Sequence, residues 1–332
     1  MTNIVVGIDI GGTTTSFGFV DRRGRLLAQE TIPTQGHEPA SVLVSRLSAR
    51  IDGLRKTLPA EYHLKGIGIG APNANYYRGT VENPVNLNWG ADVNLVELFR
   101  QCYDLPVVIT NDANAAALGE MLFGGARGMR HFIVITLGTG LGSGIVSDGK
   151  LVYGADGFAG ELGHTVVDPD GRQCACGKKG CLETYVSATG LCRTVASLLA
   201  KRLDHSSLRE VKNSELTSKM IFEEADSGDV IALEAFDVTA RILGMKLADA
   251  VAHTRPGAIF LSGGLAKSAE LLLEPARRYM EEFLLPHYRG KVRLLPSALL
   301  EGSGAILGAA ALIWHELRVH RVLNGGDISV AP

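Results

Sequence analysis

The 332-residue sequence contains no uninterrupted apolar run near the roughly 20 residues that span a bilayer. Its opening residues, MTNIVVGIDIGG, lack the basic stretch, long apolar core and small-residue cleavage site of a secretory signal. Both absences point to the cytoplasm. An excess of one charge is also missing: 33 Lys and Arg stand against 35 Asp and Glu, a formal net charge of −2, without long runs. That balance leaves no electrostatic footprint for nucleic acid or an anionic membrane, so a small-molecule partner is expected. Cysteine is scarce and odd in number, at five, which argues against a secreted disulfide framework. Cys102 and Cys192 stand alone and read as small buried hydrophobes.

What the chain does have is a hydrophobic fraction of 46%, ample for the cores of about two domains. Residues 4 to 31 alternate short apolar runs with turns and read as two successive hairpins. Leu43, Leu47, Ile51 and Leu54 repeat at helical spacing between Pro39 and Pro59. GIGIGAP (66 to 72) reads as a buried strand and the Asn- and Pro-rich stretch after it as a loop. A helix near 93 to 103 and the strand PVVIT (106 to 110) follow. The order β-β-β-α-β-α-β predicts one open sheet with helices packed on it. At 132 the opening pattern recurs, with Gly138, Gly144 and Gly149 answering Gly11, Gly18 and Gly24 and one residue lost in the first turn. Such a repeat suggests two lobes on one plan. Helices are expected at 186–202, 214–227, 230–253, 267–284 and 302–317, strands at 257–263 and 291–296, and a frayed end.

Four places carry chemistry. Asp9-Ile10-Gly11-Gly12-Thr13-Thr14 joins two strands by a turn whose bare amides can approach an anion. It differs from a P-loop because neither Gly-Lys-Ser/Thr nor a helix follows. An ordinary Gly-rich turn reads the same way, but LGTGLGSG (137 to 144) supplies a second one, and the pair would grip a polyphosphate across a cleft. Asn111-Asp112-Ala113-Asn114 ends an apolar strand and opens an Ala-rich helix. Asp112 or Asn114 is expected to cap that helix, and a carboxylate there can also take a proton from a substrate hydroxyl during phosphate transfer. LSGGLA (261 to 266) offers the side-chain-free floor that a flat adenine needs. Finally, Cys174, Cys176 and Cys181 lie within eight positions, and with His164 they make a Cys3His set suited to zinc. Glu161 and Glu183 stand beside them as carboxylates that a closed site does not need.

Taken together, DIGGTT (9 to 14), NDANAAALGE (111 to 120), LGTGLGSG, GELGH (160 to 164), CACGKKGCLE (174 to 183) and LSGG resemble the ROK family of bacterial sugar kinases and repressors. The resemblance runs from residue 4 to about 317. It implies the α/β, two-lobed actin-like ATPase (ribonuclease-H-like) fold with a central active-site cleft. The smaller lobe would hold 1–120 plus 303–320, the larger 121–302, and 321–332 would form a tail. It further implies an ATP-dependent hexose kinase acting on a 6-hydroxyl, D-glucose first among its substrates and glycolysis as its setting. By that resemblance Asp112 is the base, and Asn111, Asp112, Glu161, His164, Glu183, Gly70 and Asn86 meet the sugar. Gly11, Gly12, Thr13, Thr14, Gly138, Thr139 and Gly140 meet the phosphates, with Asp9 near Mg2+ and Gly263 and Gly264 under the adenine. A structural Zn2+ on His164, Cys174, Cys176 and Cys181 would fix one nitrogen of His164 and leave the other as a donor to a sugar hydroxyl. The chain departs from the commoner family pattern in the 70 to 75 segment, which reads Ala-Pro-Asn-Ala-Asn where a Pro-Gly is usual, so a different sugar-side loop is expected. Kinases for fructose, mannose, allose or the N-acetylated hexosamines remain alternatives. So do the family's sugar-responsive repressors, although strand 1 starting at Ile4 leaves no room for a preceding DNA-reading module, and an actin-like activator holding an iron–sulfur cluster. ATP and a sugar are the partners expected, with neither nucleic acid nor membrane, in a homodimer or higher homo-oligomer.

Overall fold

The structure, a computed structural model, describes residues 2–84, 87–90, 92–299 and 302–323. The sugar-side residue Asn86 and the tail 324–332 lie outside the described residues. In chain order the first elements are β1 (Thr2–Ile10), β2 (Thr14–Asp21), β3 (Leu26–Pro33), α1 (Ala40–Arg55), β4 (Tyr62–Gly70), β5 (Ala74–Asn75), β6 (Thr80–Glu82), β7 (Asp92–Asn94), α2 (Leu95–Arg100), β8 (Val107–Thr110) and α3 (Asp112–Leu122). There follow β9 (Phe132–Leu137), β10 (Leu141–Ser147), β11 (Lys150–Leu151), α4 (Ala188–Lys201), α5 (Ser218–Asp226), α6 (Val230–Thr254), β12 (Ala258–Ser262), α7 (Glu274–Phe283), β13 (Arg293–Pro296) and α8 (Gly304–Leu323). The chain divides into two compact units. One takes the residues up to Gly128, the segment Leu151–Ala159 and the chain from Ala298 onward; the other takes Met129–Lys150 and Gly160–Ser297.

The first unit is built on a sheet ordered β3-β2-β1-β4-β8, antiparallel from β3 to β1 and parallel across β1, β4 and β8. Both faces of β1 are buried, so its apolar run is continuous. Ile4, Val6, Ile8 and Ile10 pack with Leu43, Leu47 and Ile51 of α1, whereas Val5 packs with Ile306, Ala310 and Ile313 of α8. The same alternation explains the unusual GIGIG of β4. Ile67 and Ile69 enter the α1-side core, and Gly66 and Gly68 lie under α8. A Cβ at Gly68 would fall 1.9 Å from the Ala309 carbonyl oxygen, and one at Gly7 would fall 2.2 Å from that of Ile306. Bare strand backbone and a small-residue helix are therefore two halves of one contact. Glu120, fully buried on α3, accepts the amides of Gly125 at 2.7 Å and Ala298 at 3.0 Å.

The second unit carries a sheet ordered β10-β9-β12-β13 with the two-residue β11 at its edge, packed against α4, α5, α6 and α7. The internal repeat is visible in register. Ile10 pairs with Thr15 around a four-residue turn, and Leu137 pairs with Leu141 around a three-residue turn, so one residue is indeed lost. Gly24 and Gly149, which follow the Asp-containing turns, both take positive φ, at 79° and 74°.

Four expectations need correction. The stretch read as a loop after β4 contains the small sheet β5-β6-β7, whose strands of two or three residues are too short to show a period of two. The helix expected over 267–284 is broken into a 3-10 turn, a π-helical turn at Ala269–Leu273 and α7, because Pro275 at the start of α7 has no N–H and crowds the preceding turn. The last helix continues past 317 to Leu323. Cys102 is exposed and Cys192 half-buried, so neither is the core residue expected.

Gly68→Ala should destabilise the protein by about 3 kcal/mol or prevent folding, because α8 must retreat from the sheet. Gly53→Ala, on the open face of α1 with nothing within 4 Å, should stabilise it by about 0.5–1 kcal/mol. Denaturant midpoints of the two variants measure this, and equal effects would contradict the packing account.

Candidate active site

Three adjacent parallel strands end side by side in the first unit, and their carboxyl ends gather the acidic groups. Asp9 of β1 pairs in register with Gly70 of β4, and Gly70 pairs with Thr110 of β8, directly before Asn111 and Asp112. A Cβ at Gly70 would stand 3.8 Å from Asp9 Oδ1 and 3.9 Å from Asp112 Cα. Those are ordinary contacts, so packing does not require glycine there. Its effect is to keep open the space between the two carboxylates. Asp9 is pushed up to about 6, first by burial and then by the negative charge of Asp112. Asp112 reaches solvent, yet the protein around it displaces enough water to raise its pKa as well. The helix cap expected of Asp112 or Asn114 is made by Asn111, whose Oδ1 accepts the Asn114 amide at 2.7 Å. Asp112 accepts its neighbouring Ala113 amide through Oδ1, at 2.8 Å.

The two glycine hairpins share a second device that no local pattern reveals. In the turn after β1, the Thr34 hydroxyl donates to the Gly11 carbonyl at 2.7 Å, and the Thr34 amide donates to the Thr13 carbonyl at 2.8 Å. In the turn after β9, the Ala188 amide donates to the Gly138 carbonyl at 2.9 Å and the Thr189 hydroxyl to the Thr139 carbonyl at 2.8 Å. In a planar trans peptide the N–H points opposite to the C=O. Holding these carbonyls therefore aims the amides of Gly12 and Thr14, and of Thr139 and Gly140, away from the supporting residues. Such amides form an anion-binding concavity. Gly12, Thr13, Thr14, Gly138 and Thr139 are exposed. At the end of β12, Ser262 pairs with Thr136 of β9, and Gly263 comes so close to β9 that a Cβ would lie 2.4 Å from the Leu137 oxygen. Gly264 has nothing within 4 Å of where a Cβ would stand.

His164, Cys174, Cys176 and Cys181 converge in the second unit, with ligand atoms all within 4.8 Å of one another. The Cys174 Sγ to His164 Nδ1 distance is 3.7 Å and Cys176 Sγ to Cys181 Sγ 3.6 Å. A zinc tetrahedron has edges of about 3.5–3.8 Å, so three sulfurs and one imidazole fit that ion. Gly177 and Gly180 both take positive φ, and a Cβ at Gly180 would lie 1.6 Å from the Asp168 oxygen. The other ring nitrogen, His164 Nε2, faces Glu161 Oε2 at 3.8 Å. Beside it, Glu183 Oε1 accepts the Cys174 thiol at 3.0 Å, and its Oε2 would lie 2.8 Å from a Cβ at Gly140. Burial and that hydrogen bond push the Cys174 thiol up.

The departure at Asn73 has a backbone explanation. Its φ is +54°, the left-handed region where glycine is favoured and asparagine tolerated. Asn75, fully buried, ties this turn to the segment 154–157. Its Nδ2 donates to the Asp156 carbonyl at 2.8 Å while its Oδ1 accepts the Tyr77 and Arg78 amides at 3.0 and 3.2 Å. Tyr76 and Tyr153 stack beside it at 4.2 Å. Thr34, Asn75, Thr189 and Glu183's link to Gly140 were missed by sequence reasoning because each partner lies far away in the chain.

Residues 5–316 match the ROK family. A glucokinase of Halalkalibacterium halodurans is 36% identical over 310 residues, covering 91% of this chain and 93% of that protein. A ROK family glucokinase from Streptomyces griseus, solved in complex with glucose and AMPPNP, is 35% identical with a TM-score of 0.79, covering 93% of this chain and 98% of that one. A ROK family transcriptional regulator matches with a TM-score of 0.86 at 27% identity, covering 97% of this chain and 80% of that one. The fold is the α/β, two-lobed actin-like ATPase fold expected from the sequence.

Asp9 lies above its ordinary value of 3.8, near 6. The native chain therefore binds extra protons between about pH 4 and 6, and this group's contribution to stability grows as pH falls through that window. Above it, the ionised carboxylate destabilises the fold. Asp9→Asn should raise the melting temperature at pH 7 to 8, and the gain should fade toward pH 4.5. Melting curves across that range decide the matter; a difference constant with pH would contradict the assignment.

Proposed function

The chain belongs to the ROK family, and we propose on that premise that it is an ATP:hexose 6-phosphotransferase whose preferred sugar is D-glucose. The observation that carries this reading is the meeting of Asp9, Gly70 and Asp112 at three strand ends, with one amide-lined hairpin starting two residues after Asp9. Phosphoryl transfer needs positioning and charge neutralisation more than covalent help. In this reading the amides of Gly12, Thr14, Thr139 and Gly140 receive the ATP phosphates, and Gly263 and Gly264 leave room for adenine. Asp112 accepts the proton of the 6-hydroxyl as that oxygen attacks the γ-phosphorus. Its raised pKa favours that role, since a base is most effective when its pKa nears the working pH. Magnesium, when bound, supplies the countercharge to the transferring phosphate. Asp9 is the group to hold it, because a cation relieves the repulsion between two carboxylates that share a partly buried site.

On the sugar side, the Oδ1 of Asn111 is used in the helix cap, which leaves its amide N–H groups to donate to a hydroxyl. The 3.8 Å between His164 Nε2 and Glu161 Oε2 exceeds a hydrogen bond. A sugar hydroxyl can bridge it, accepting from the imidazole and donating to the carboxylate. Zinc, when bound at Nδ1 and the three cysteines, fixes the tautomer that makes this donor. Among the described residues no helix is long and apolar enough to cross a membrane, which agrees with a cytoplasmic enzyme. A homo-oligomer is part of the same reading. The likeness to the transcriptional regulator gives a second reading, a sugar-responsive regulator without turnover.

Coupled ADP-release assays over a panel of hexoses test the proposal. The highest kcat/KM should fall on glucose, and Asp112→Asn should lose about 10³-fold or more in kcat while retaining sugar and zinc binding. Zinc-loaded protein inactive on every sugar would favour the regulator instead.

A further inference from the structure

The cysteine knot and the hairpin turn Gly138–Gly140 belong to one hydrogen-bonded assembly in the second unit. The turn's carbonyls are held by Ala188 and Thr189, the first two residues of α4. The α4 N-cap is Ser187, whose hydroxyl accepts the Gly190 amide at 2.9 Å and donates to the Glu183 carbonyl at 2.7 Å. The Glu183 carboxylate itself abuts Gly140 through Oε2.

One side chain fastens the knot to this helix. Arg172 stands two residues before Cys174, and its backbone carbonyl accepts the Gly180 amide at 2.8 Å inside the knot. Its guanidinium spans outward: Nη1 donates to the Thr184 carbonyl at 2.7 Å and the Gly190 carbonyl at 3.0 Å, and Nη2 donates to Thr194 Oγ1 at 2.9 Å. The ring of Tyr185 lies 4.3 Å beneath the charge, and the Tyr185 hydroxyl accepts the Arg172 amide at 3.1 Å. A planar fork with several donors at fixed angles can serve these acceptors together; a lysine cannot.

We propose that Arg172 is a positioning residue for the nucleotide. It locks α4 onto the metal-binding knot, and α4 holds the Gly138 and Thr139 carbonyls so that the Thr139 and Gly140 amides face the phosphates. Metal and nucleotide then bind cooperatively through protein alone, although neither touches the other's ligands. This rests on the assignment of that turn to ATP. Because coupling is reciprocal, nucleotide must retain the metal as much as metal sharpens the nucleotide site.

Three variants of the full-length zinc-loaded protein test it: Arg172→Lys, Thr189→Val and the double substitution. Binding of magnesium–AMPPNP and of glucose is measured by calorimetry, zinc per chain by metal analysis, and zinc stripping by a chromogenic chelator with and without AMPPNP. Each single variant should weaken AMPPNP about tenfold and glucose less than about threefold at full zinc content, and the double should be no weaker than about the worse single. Saturating AMPPNP should slow zinc stripping at least about fivefold in the parent chain and not in Arg172→Lys. Equal losses of sugar and nucleotide affinity, or loss of zinc, would reduce Arg172 to a structural residue and overturn the proposal. So would strictly additive variants, or a parent chain that AMPPNP does not protect. A parent chain that binds glucose but no AMPPNP would instead refute the kinase reading, and the coupling with it.

Discussion

A planar peptide cannot turn its carbonyl one way without turning its N–H the other, and the two glycine hairpins of this protein depend on that constraint. Glycine makes each hairpin turn bare, but bareness does not aim an amide. Thr34 does so in one unit and the start of α4 in the other, each time with one backbone amide and one threonine hydroxyl. The two turns are thus alike while their supports come from different elements. In the second unit the support leads back through Arg172 to the cysteine cluster, so a stretch remote in sequence from the hairpin becomes part of its scaffold.

The acidic pair follows from topology in the same direct way. Parallel strands β1, β4 and β8 must end at one edge, and residues just past that edge are neighbours however far apart they lie in the chain. Asp9 and Asp112, separated by more than a hundred residues, meet across Gly70 for that reason. Close carboxylates with little bulk water cost stability, because burial resists the ionisation of both and the charge of Asp112 adds to it at Asp9. The glycines beneath α8 serve another purpose: Gly7 and Gly68 let helix and sheet backbones touch, which holds the strands whose ends carry the site.

Much of this was legible in the residues. The repeated hairpins, the Cys3His cluster and the strand before Asn111-Asp112 are local patterns, and short-range physics decides them. Distant pairings were not legible. Nothing around Thr34, Thr189 or Arg172 marks them, because their partners lie 12 to 50 residues away, several of them backbone atoms that leave no trace in composition. The cap at Asn111 was misassigned since three candidates within four positions, Asn111, Asp112 and Asn114, all have capping side chains and only the helix start chooses among them. The odd Asn73 became intelligible through its positive φ alone.

The central claim is that Asp112 faces the hydroxyl that receives phosphate while the hairpin amides hold the donor. A crystal structure of the chain with D-glucose and magnesium–AMPPNP measures this directly. The account predicts the glucose 6-oxygen within about 3 Å of an Asp112 carboxylate oxygen, with phosphate oxygens on the amides of Gly12, Thr14, Thr139 or Gly140. A sugar bound with its 6-hydroxyl remote from Asp112, or phosphates lodged away from both turns, would contradict it.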